Sequence, residues 1–459
     1  MKETLLFHSD ISPVSFTNDL GITDIGDPFM LKVAPDEYYL YCTSAPNGFF
    51  CWHSKDMIHW DSKKMCYVMK EDSWGRECFW APEVVAYQDK YYMFYTSMGK
   101  DGLRLGLAIS ASPDGPFVDY KNEPFLDYGY SVIDANVFID EDGSKYLYYV
   151  RDCADNIING IHTSQLYGVR LSDDLTSIIG TPTFLTTPDV PWEQIEGGYM
   201  WNEGPEMMKH NGTYYLSYSA DRFDSPGYSL GYAVSDNPLG PFRKPENNRI
   251  LYSAGLEGIS GPGHHSFVLS PDGTELWIAY HSHTDIKNPS GNRKVNLARA
   301  GFSEDGSLYI NGPLITTQPL PSGIAATNVS SHFHAMVNET EFSKLTDGMI
   351  QVHEEPDNTA LIPVDAHGQA TVSLYSDTEV SAAVLALYTG HKNAGEIASV
   401  RLCINREIYS EEYVVLANAS SPILLFFDPV SARQIDILLS ANTGITQIAL
   451  SEIEIFSLK

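Results

Sequence analysis

The sequence predicts an all-β chain: a five-bladed β-propeller followed by a C-terminal β-sandwich of jelly-roll type. Three observations carry this. Five short aromatic strands recur through the first two thirds, a second alternating strand follows each, and helical periodicity is nearly absent there. Beyond Leu320 the aromatic repeat stops, and Val/Ile/Leu/Ala-rich stretches of period two take over.

The repeat strands are EYYLYCTS (Glu37–Ser44), KYYMFYTS (Lys90–Ser97), KYLYYVRD (Lys145–Asp152), TYYLSYSA (Thr213–Ala220) and ELWIAYHS (Glu275–Ser282). Four follow a turn, at Pro35-Asp36, Asp142-Gly143, Asn211-Gly212 or Asp272-Gly273, and the second follows Gln88-Asp89. Their spacing of roughly 50 to 70 residues suits propeller blades with loop insertions. The downstream partners, FFCWHSKDMIHW, LGLAISASPDGPF, LYGVRLSDDLTSI, LGYAVSDNPLGPF and VNLARAGFSEDGSL, read as the third strand of a blade with its exit turn. An irregular β-sandwich is the alternative arrangement for this region.

The propeller is assigned to residues 1–322. The small, polar segment at 323–336 reads as a linker, and 337–459 as the sandwich, with strands QATVSLYS, AAVLALY, SVRLCIN, PILLFFD, RQIDILLS and IALSEIEIF. At 459 residues the chain exceeds what one core usually holds, so two domains are expected.

The net charge of −30, from 59 acids against 29 bases, repels phosphate backbones and anionic membranes, so neither nucleic acid nor membrane is an expected partner. No stretch approaches the roughly 20 apolar residues of a membrane span, and MKETLLFHSDISPVSF has no apolar export signal. The six cysteines show no CxxC pair and no zinc spacing, so reduced thiols and a cytoplasmic location are expected. The sequence carries no sign of oligomeric state.

Counting back eleven or twelve places from each repeat strand reaches Asp27, Trp80, Asp134, Glu203 and His264. The innermost strand of every blade lines the central channel, so equivalent positions converge on the axis. Three carboxylates in one pocket oppose joint ionisation, and burial raises at least one pKa. Metal binding and glycoside hydrolysis both use such a set. Hydrolysis needs one protonated acid for the leaving oxygen and one ionised carboxylate for water or the sugar.

The residues then match a family. DPF (Asp27–Phe29), WAPEV (Trp80–Val84), IDANVFID (Ile133–Asp140), EGPE (Glu203–Glu206) and GHHS (Gly263–Ser266), one motif per blade, resemble glycoside hydrolase family 43, whose members are five-bladed propellers that cleave arabinofuranosides and xylosides with inversion. The resemblance covers about the first 320 residues. It implies that Asp27 is the general base, Glu203 the general acid, and Asp134 the residue that orients Glu203 and keeps its pKa high. It also implies that His264 holds a calcium ion in the central channel through waters, and that Arg293 binds substrate. Many relatives place Pro after the second Asp, where this chain has Ala135.

Trp74, Trp80, Trp201 and Phe49 are candidate sugar platforms, with core packing as the other role open to them. Glu83 and Glu206 read as scaffold groups; His265, His281 and His283 stay unassigned. The sandwich faintly resembles discoidin-like and carbohydrate-binding modules, with Tyr375, Tyr388, Tyr409 and Tyr413 as its candidate stacking residues.

The expected activity is exo-acting hydrolysis of terminal α-L-arabinofuranosyl residues from plant-derived oligosaccharides, a small-molecule carbohydrate being the partner. β-Xylosidase is the alternative, then endo-arabinanase or galactofuranosidase, since these differ in loops rather than acids. A non-catalytic sugar-binding propeller is the alternative of another class. Such propellers repeat one binding residue in every blade, whereas here the register position differs from blade to blade.

Overall fold

The computed structural model describes residues 14–459 apart from 196, 354–357, 390–395, 409–411 and 416–420. Residues 1–13, where no export signal is expected, and Tyr409 lie outside the described residues. Two compact units form. One comprises Asp19–Val268 with Trp277–Leu297; the other comprises Ala298–Lys459, Leu269–Leu276 and the segment before Asp19.

The aromatic repeats become the second strands of five antiparallel blades. Blade 1 runs Thr23–Ala34, Glu37–Thr43, Gly48–Ser54, Lys64–Val68. Blade 2 runs Glu77–Tyr87, Lys90–Gly99, Gly102–Ser110, Val118–Asp119. Blade 3 is Val132–Ile139, Lys145–Arg151, Gln165–Leu171, Ile178–Thr186, and blade 4 is Asn202–His210, Thr213–Ala220, Ser229–Ser235, Arg249–Leu251. Blade 5 is Gly263–Leu269, Leu276–His283, Arg293–Phe302, Leu308–Ile310. The chain is a five-bladed β-propeller followed by an antiparallel sandwich. The repeat aromatics are its packing: Tyr38, Tyr41, Tyr95, Tyr148, Tyr149, Tyr218, Trp277 and Tyr280 are fully buried. The ring of blades closes by pairing Thr23 with Lys294 and Ile25 with Arg293, which sets Arg293 beside Asp27.

Each innermost strand opens with a bulge whose first residue has positive φ: Asp27 (53°), Ala81 (44°), Asp134 (53°), Gly204 (55°) and His264 (40°). The ladder skips there, between Gly26/Phe29, Trp80/Glu83, Ile133/Asn136 and Glu203/Glu206. Bulges re-aim side chains and commonly lie beside functional sites. The structure corrects the count made from the sequence. The equivalents of Asp27 are Ala81 and Gly204, so Trp80 and Glu203 stand one residue earlier. Two-residue turns close the first hairpins of blades 2 and 4, longer loops those of blades 3 and 5, and blade 1 has an extra irregularity at Lys32/Ala34. A fixed offset therefore slips by one, and a one-residue slip points to the opposite face.

The bulges also tie the blades together. The N–H of the positive-φ residue is accepted by a side chain of the preceding blade: Ala81 by Thr43 Oγ1 (2.8 Å), Asp134 by Thr96 Oγ1 (3.1 Å), Gly204 by Asp134 Oδ2 (2.9 Å), His264 by Ser219 Oγ (2.8 Å) and Asp27 by His281 Nδ1 (3.2 Å). Further along the strands, Asn136 Oδ1 accepts the Met207 N–H (3.0 Å), Glu206 the Phe267 N–H (2.9 Å) and Ser266 Oγ the Met30 N–H (2.8 Å), while Asn136 Nδ2 donates to Glu83 (3.0 Å). Glu83 and Glu206 are thus scaffold acceptors, and burial pushes Glu206 up to about 8.

The sandwich is one ten-stranded antiparallel sheet built on the long strands Gln369–Thr389 and Ile423–Ala441, each spanning two of the short strands expected from the sequence. Their register breaks at Tyr375/Val380 and Ala382/Val384, and Val372, Leu374, Leu385, Leu387, Ile435 and Ile437 fill one apolar core. The segment 323–336 is not a linker. Ala326–Asn328 pairs with Gln447–Leu458, and His334–Val337 pairs with Gln369–Thr389. Its small residues suit close packing as well as they suit a loop. Tyr388 and Tyr413 are buried and spend their hydroxyls on Glu454 and the Phe426 carbonyl; Tyr375 is exposed.

Within this unit Arg299 is buried between Glu454 and Glu275 and beside the Tyr388 hydroxyl. Arg299→Met is expected to lower the stability of this unit by about 3–5 kcal/mol, because buried carboxylates lose a guanidinium partner. Urea unfolding checks it, and Arg299→Lys recovers only part, lacking the fork geometry.

Candidate active site

Asp27 sits at the centre of a cationic and histidine shell. Arg293 Nη1 donates to its Oδ1 at 2.8 Å, Thr43 Oγ1 donates to Oδ2 at 2.6 Å, and His264 Nδ1 lies 3.3 Å from Oδ1. Burial alone would raise the Asp27 carboxyl. The charges of Arg293 and His264, with the Thr43 hydroxyl, overcome that and hold it well below the usual carboxylate range. His281 is driven far below its ordinary pKa by burial and by Arg293, so it stays neutral, accepts the Asp27 N–H, and leaves Arg293 as the main charge.

Glu203 has the opposite environment. It is 8% exposed, and burial, then the charge of Asp134, then that of Asp27, push its pKa well above the carboxylate range, against the hydrogen bond from Tyr228 (2.7 Å). Burial raises Asp134 to about 6, with His264 opposing and Asp27 adding. Asp134 also holds the Gly204 N–H, so it anchors the backbone next to Glu203. A ring stack completes the circuit: Tyr228 lies parallel to His281 at 5.4 Å, and His281 stacks on His264 at 6.1 Å.

The sequence-derived set Asp27, Asp134, Glu203, His264 and Arg293 is therefore brought together. Trp80, 36% exposed, lines a cleft of about 280 Å³ with Gly26, Thr43 and Arg293. Trp201 borders a different cleft, described below. Trp74 is half-buried, stacked on Tyr95 at 6.0 Å and packed over Gly106. Phe49 is wholly buried in core.

Thr43, Tyr228 and His281 were missed. Two had a visible signal. The seventh residue of the repeats is Thr43, Thr96, Arg151, Ser219 and His281, and four of these five accept the bulge N–H of the next blade. Tyr228, between blade strands, had none.

Among the described residues no three His, Cys, Asp or Glu side chains gather as metal ligands. Calcium takes six to eight oxygens, and His264 Nδ1 lies against Asp27. These side chains do not ligate calcium directly, so the ion expected at His264 would have to be held through waters.

Gly26 has no space for a side chain: a Cβ there would lie 2.0 Å from Arg293 Nη2. Gly26→Ala is expected to fold but displace the guanidinium from Asp27. The acidic limb of the pH profile of kcat/KM should then move to higher pH, because burial is left to raise the Asp27 carboxyl; pH–rate measurements check this.

The sequence pattern of glycosyl hydrolases family 43 matches residues 16–308. The chain is 30% identical over 291 residues to the β-D-galactofuranosidase xynD of Aspergillus niger, covering 59% of this chain and 78% of that one. It is 26% identical over 371 residues to α-L-arabinofuranosidase B of Pyricularia oryzae, covering 73% and 74%. The crystal structure of a thermostable family-43 glycoside hydrolase superposes with a TM-score of 0.65 at 48% identity, over 67% of this chain and 99% of that one. The chain belongs to glycosyl hydrolases family 43 and is a glycoside hydrolase acting on O-glycosyl bonds.

Proposed function

We propose that the protein is an inverting exo-glycosidase that removes terminal α-L-arabinofuranosyl residues from oligosaccharides. One observation carries the mechanism: Asp27 lies against Arg293 and Thr43, which favour its ionised form, whereas Glu203 is buried beside Asp134, which favours its protonated form. Such a pair divides the work of acid and base. Asp27, ionised against Arg293, takes a proton from water as the water attacks the anomeric carbon. Glu203, protonated, gives its proton to the leaving oxygen as the glycosidic bond breaks. Asp134 keeps Glu203 protonated by its charge and fixes its backbone through Gly204. It is a positioning residue.

The arabinofuranosyl assignment rests on α-L-arabinofuranosidase B as a relative, since the acids do not choose the sugar. The similarity to a β-D-galactofuranosidase favours a second reading. β-D-Galactofuranose matches α-L-arabinofuranose from C1 to C4 and adds one carbon, so a pocket for one sugar accepts the other if space remains past C5. Turnover of the 4-nitrophenyl α-L-arabinofuranoside, β-D-xylopyranoside and β-D-galactofuranoside, with the first-released anomer read by NMR, tests both. The expected outcome is the highest kcat/KM on the arabinofuranoside with inversion. A higher value on either other glycoside replaces the sugar, and retention removes the inverting mechanism.

Because Arg293 already holds Asp27 ionised, dialysis against EDTA is expected to leave turnover unchanged, and added calcium to change nothing.

A further inference from the structure

Two insertions outside the blades meet in a small sheet. Ile157–Ile158 and Ile161–Thr163 come from within blade 3, and Tyr199–Met200 from the connection to blade 4. The pairing of His162 with Tyr199 and Thr163 with Met200 is parallel, and the Ser164 N–H reaches the Met200 carbonyl at 2.9 Å. This sheet runs directly into the strand that carries Glu203.

One face of it is aromatic. His162 stacks on Tyr199 at 4.6 Å and 20°, and Tyr199 lies nearly parallel to Trp201 at 5.8 Å and 14°. His162 is held from behind by the Cys153 carbonyl at 2.7 Å. Tyr199 and Trp201 line a cleft of about 420 Å³ with Arg222, Phe223 and Asp224. Rings that merely filled a core would be covered, yet Tyr199 is 45% and Phe223 43% exposed. Phe223 joins the cleft to the candidate active site: the Arg293 guanidinium that binds Asp27 lies 4.9 Å over its ring.

We infer that this aromatic ledge binds neutral sugar residues of the substrate on the leaving-group side of the scissile bond. The inference rests on the glycosidase reading above. Flat, rigid, half-exposed rings take the C–H face of a sugar, and the polar groups at their margin take its hydroxyls. Neutrality follows from the cation. Arg222 is engaged bidentately by Asp224, at 2.9 and 2.7 Å, so the cleft offers no free guanidinium to a uronic acid.

The test compares substrates that share one glycone: the methyl glycoside, which does not reach the ledge, and the trisaccharide, which does. α-1,5-Arabinotriose and β-1,4-xylotriose are the two trisaccharide probes. For Tyr199→Ala and Trp201→Ala, the ratio of kcat/KM for trisaccharide over methyl glycoside is expected to fall about tenfold, through KM, and Trp201→Phe to recover most of it. Asp224→Asn should raise the relative rate on a uronic-acid-bearing oligosaccharide. An unchanged ratio in both alanine variants overturns the ledge. Failure of the glycosidase reading shows differently, as no turnover of any substrate by wild type. In that case calorimetric binding of the two trisaccharides to wild type and Tyr199→Ala decides the ledge alone: equal affinity, or no binding to wild type, overturns it, and a loss in the variant supports it.

Discussion

Glu203→Gln is expected to lower kcat by about 10²–10⁴ on glycosides with poor leaving groups and far less on 4-nitrophenyl glycosides. The amide keeps the size of the side chain and an oxygen for the Tyr228 hydroxyl, so the pocket survives; what disappears is the proton. A leaving oxygen that needs protonation feels that loss, and a nitrophenolate does not. The pH profile gives a second reading. With Glu203 as the proposed acid, activity requires its protonated form, whose pKa is raised by burial and then by the charge of Asp134, so the basic limb of kcat/KM should report it. Asp134→Asn removes the nearby charge, and the basic limb should move to lower pH. Equal losses on both leaving groups would remove Glu203 from the role of acid.

Much of this site was legible before any coordinates, because a propeller turns linear repetition into radial convergence. Once the aromatic strands were recognised as one unit repeated five times, the unlike residues ahead of them had to meet. What stayed hidden is local. The offset between bulge and repeat strand depends on the length of the intervening turn, so Trp80 and Glu203 were set one residue out of register. Tertiary partners such as Tyr228 lie on connections with no period, and their direction is set by packing. The segment 323–336 misled for a simpler reason: small residues serve closely packed strands and loops alike.

Asp27→Asn should be the most damaging single change, lowering kcat by about 10⁴ on good and poor leaving groups alike, since attack by water precedes neither without a base. That lack of leaving-group dependence separates it from Glu203→Gln. Arg293→Met leaves the base in place and alters when it is ionised. The sign is fixed by the balance at Asp27. Burial favours the neutral carboxyl, and Arg293 is the largest force against it. Without Arg293 the acidic limb of kcat/KM should rise toward neutral pH, with kcat recovering on the alkaline side. Stability should follow. A carboxylate whose folded pKa is depressed stabilises the fold above its unfolded value near 4 and loses that contribution as pH falls toward the folded one. Raised instead above that value, Asp27 would be stabilising only when protonated, and its contribution would be lost as pH rises. The melting temperature of Arg293→Met relative to wild type is therefore expected to drop between pH 4 and pH 7. A difference constant over that interval would mean that Arg293 is not what keeps Asp27 ionised.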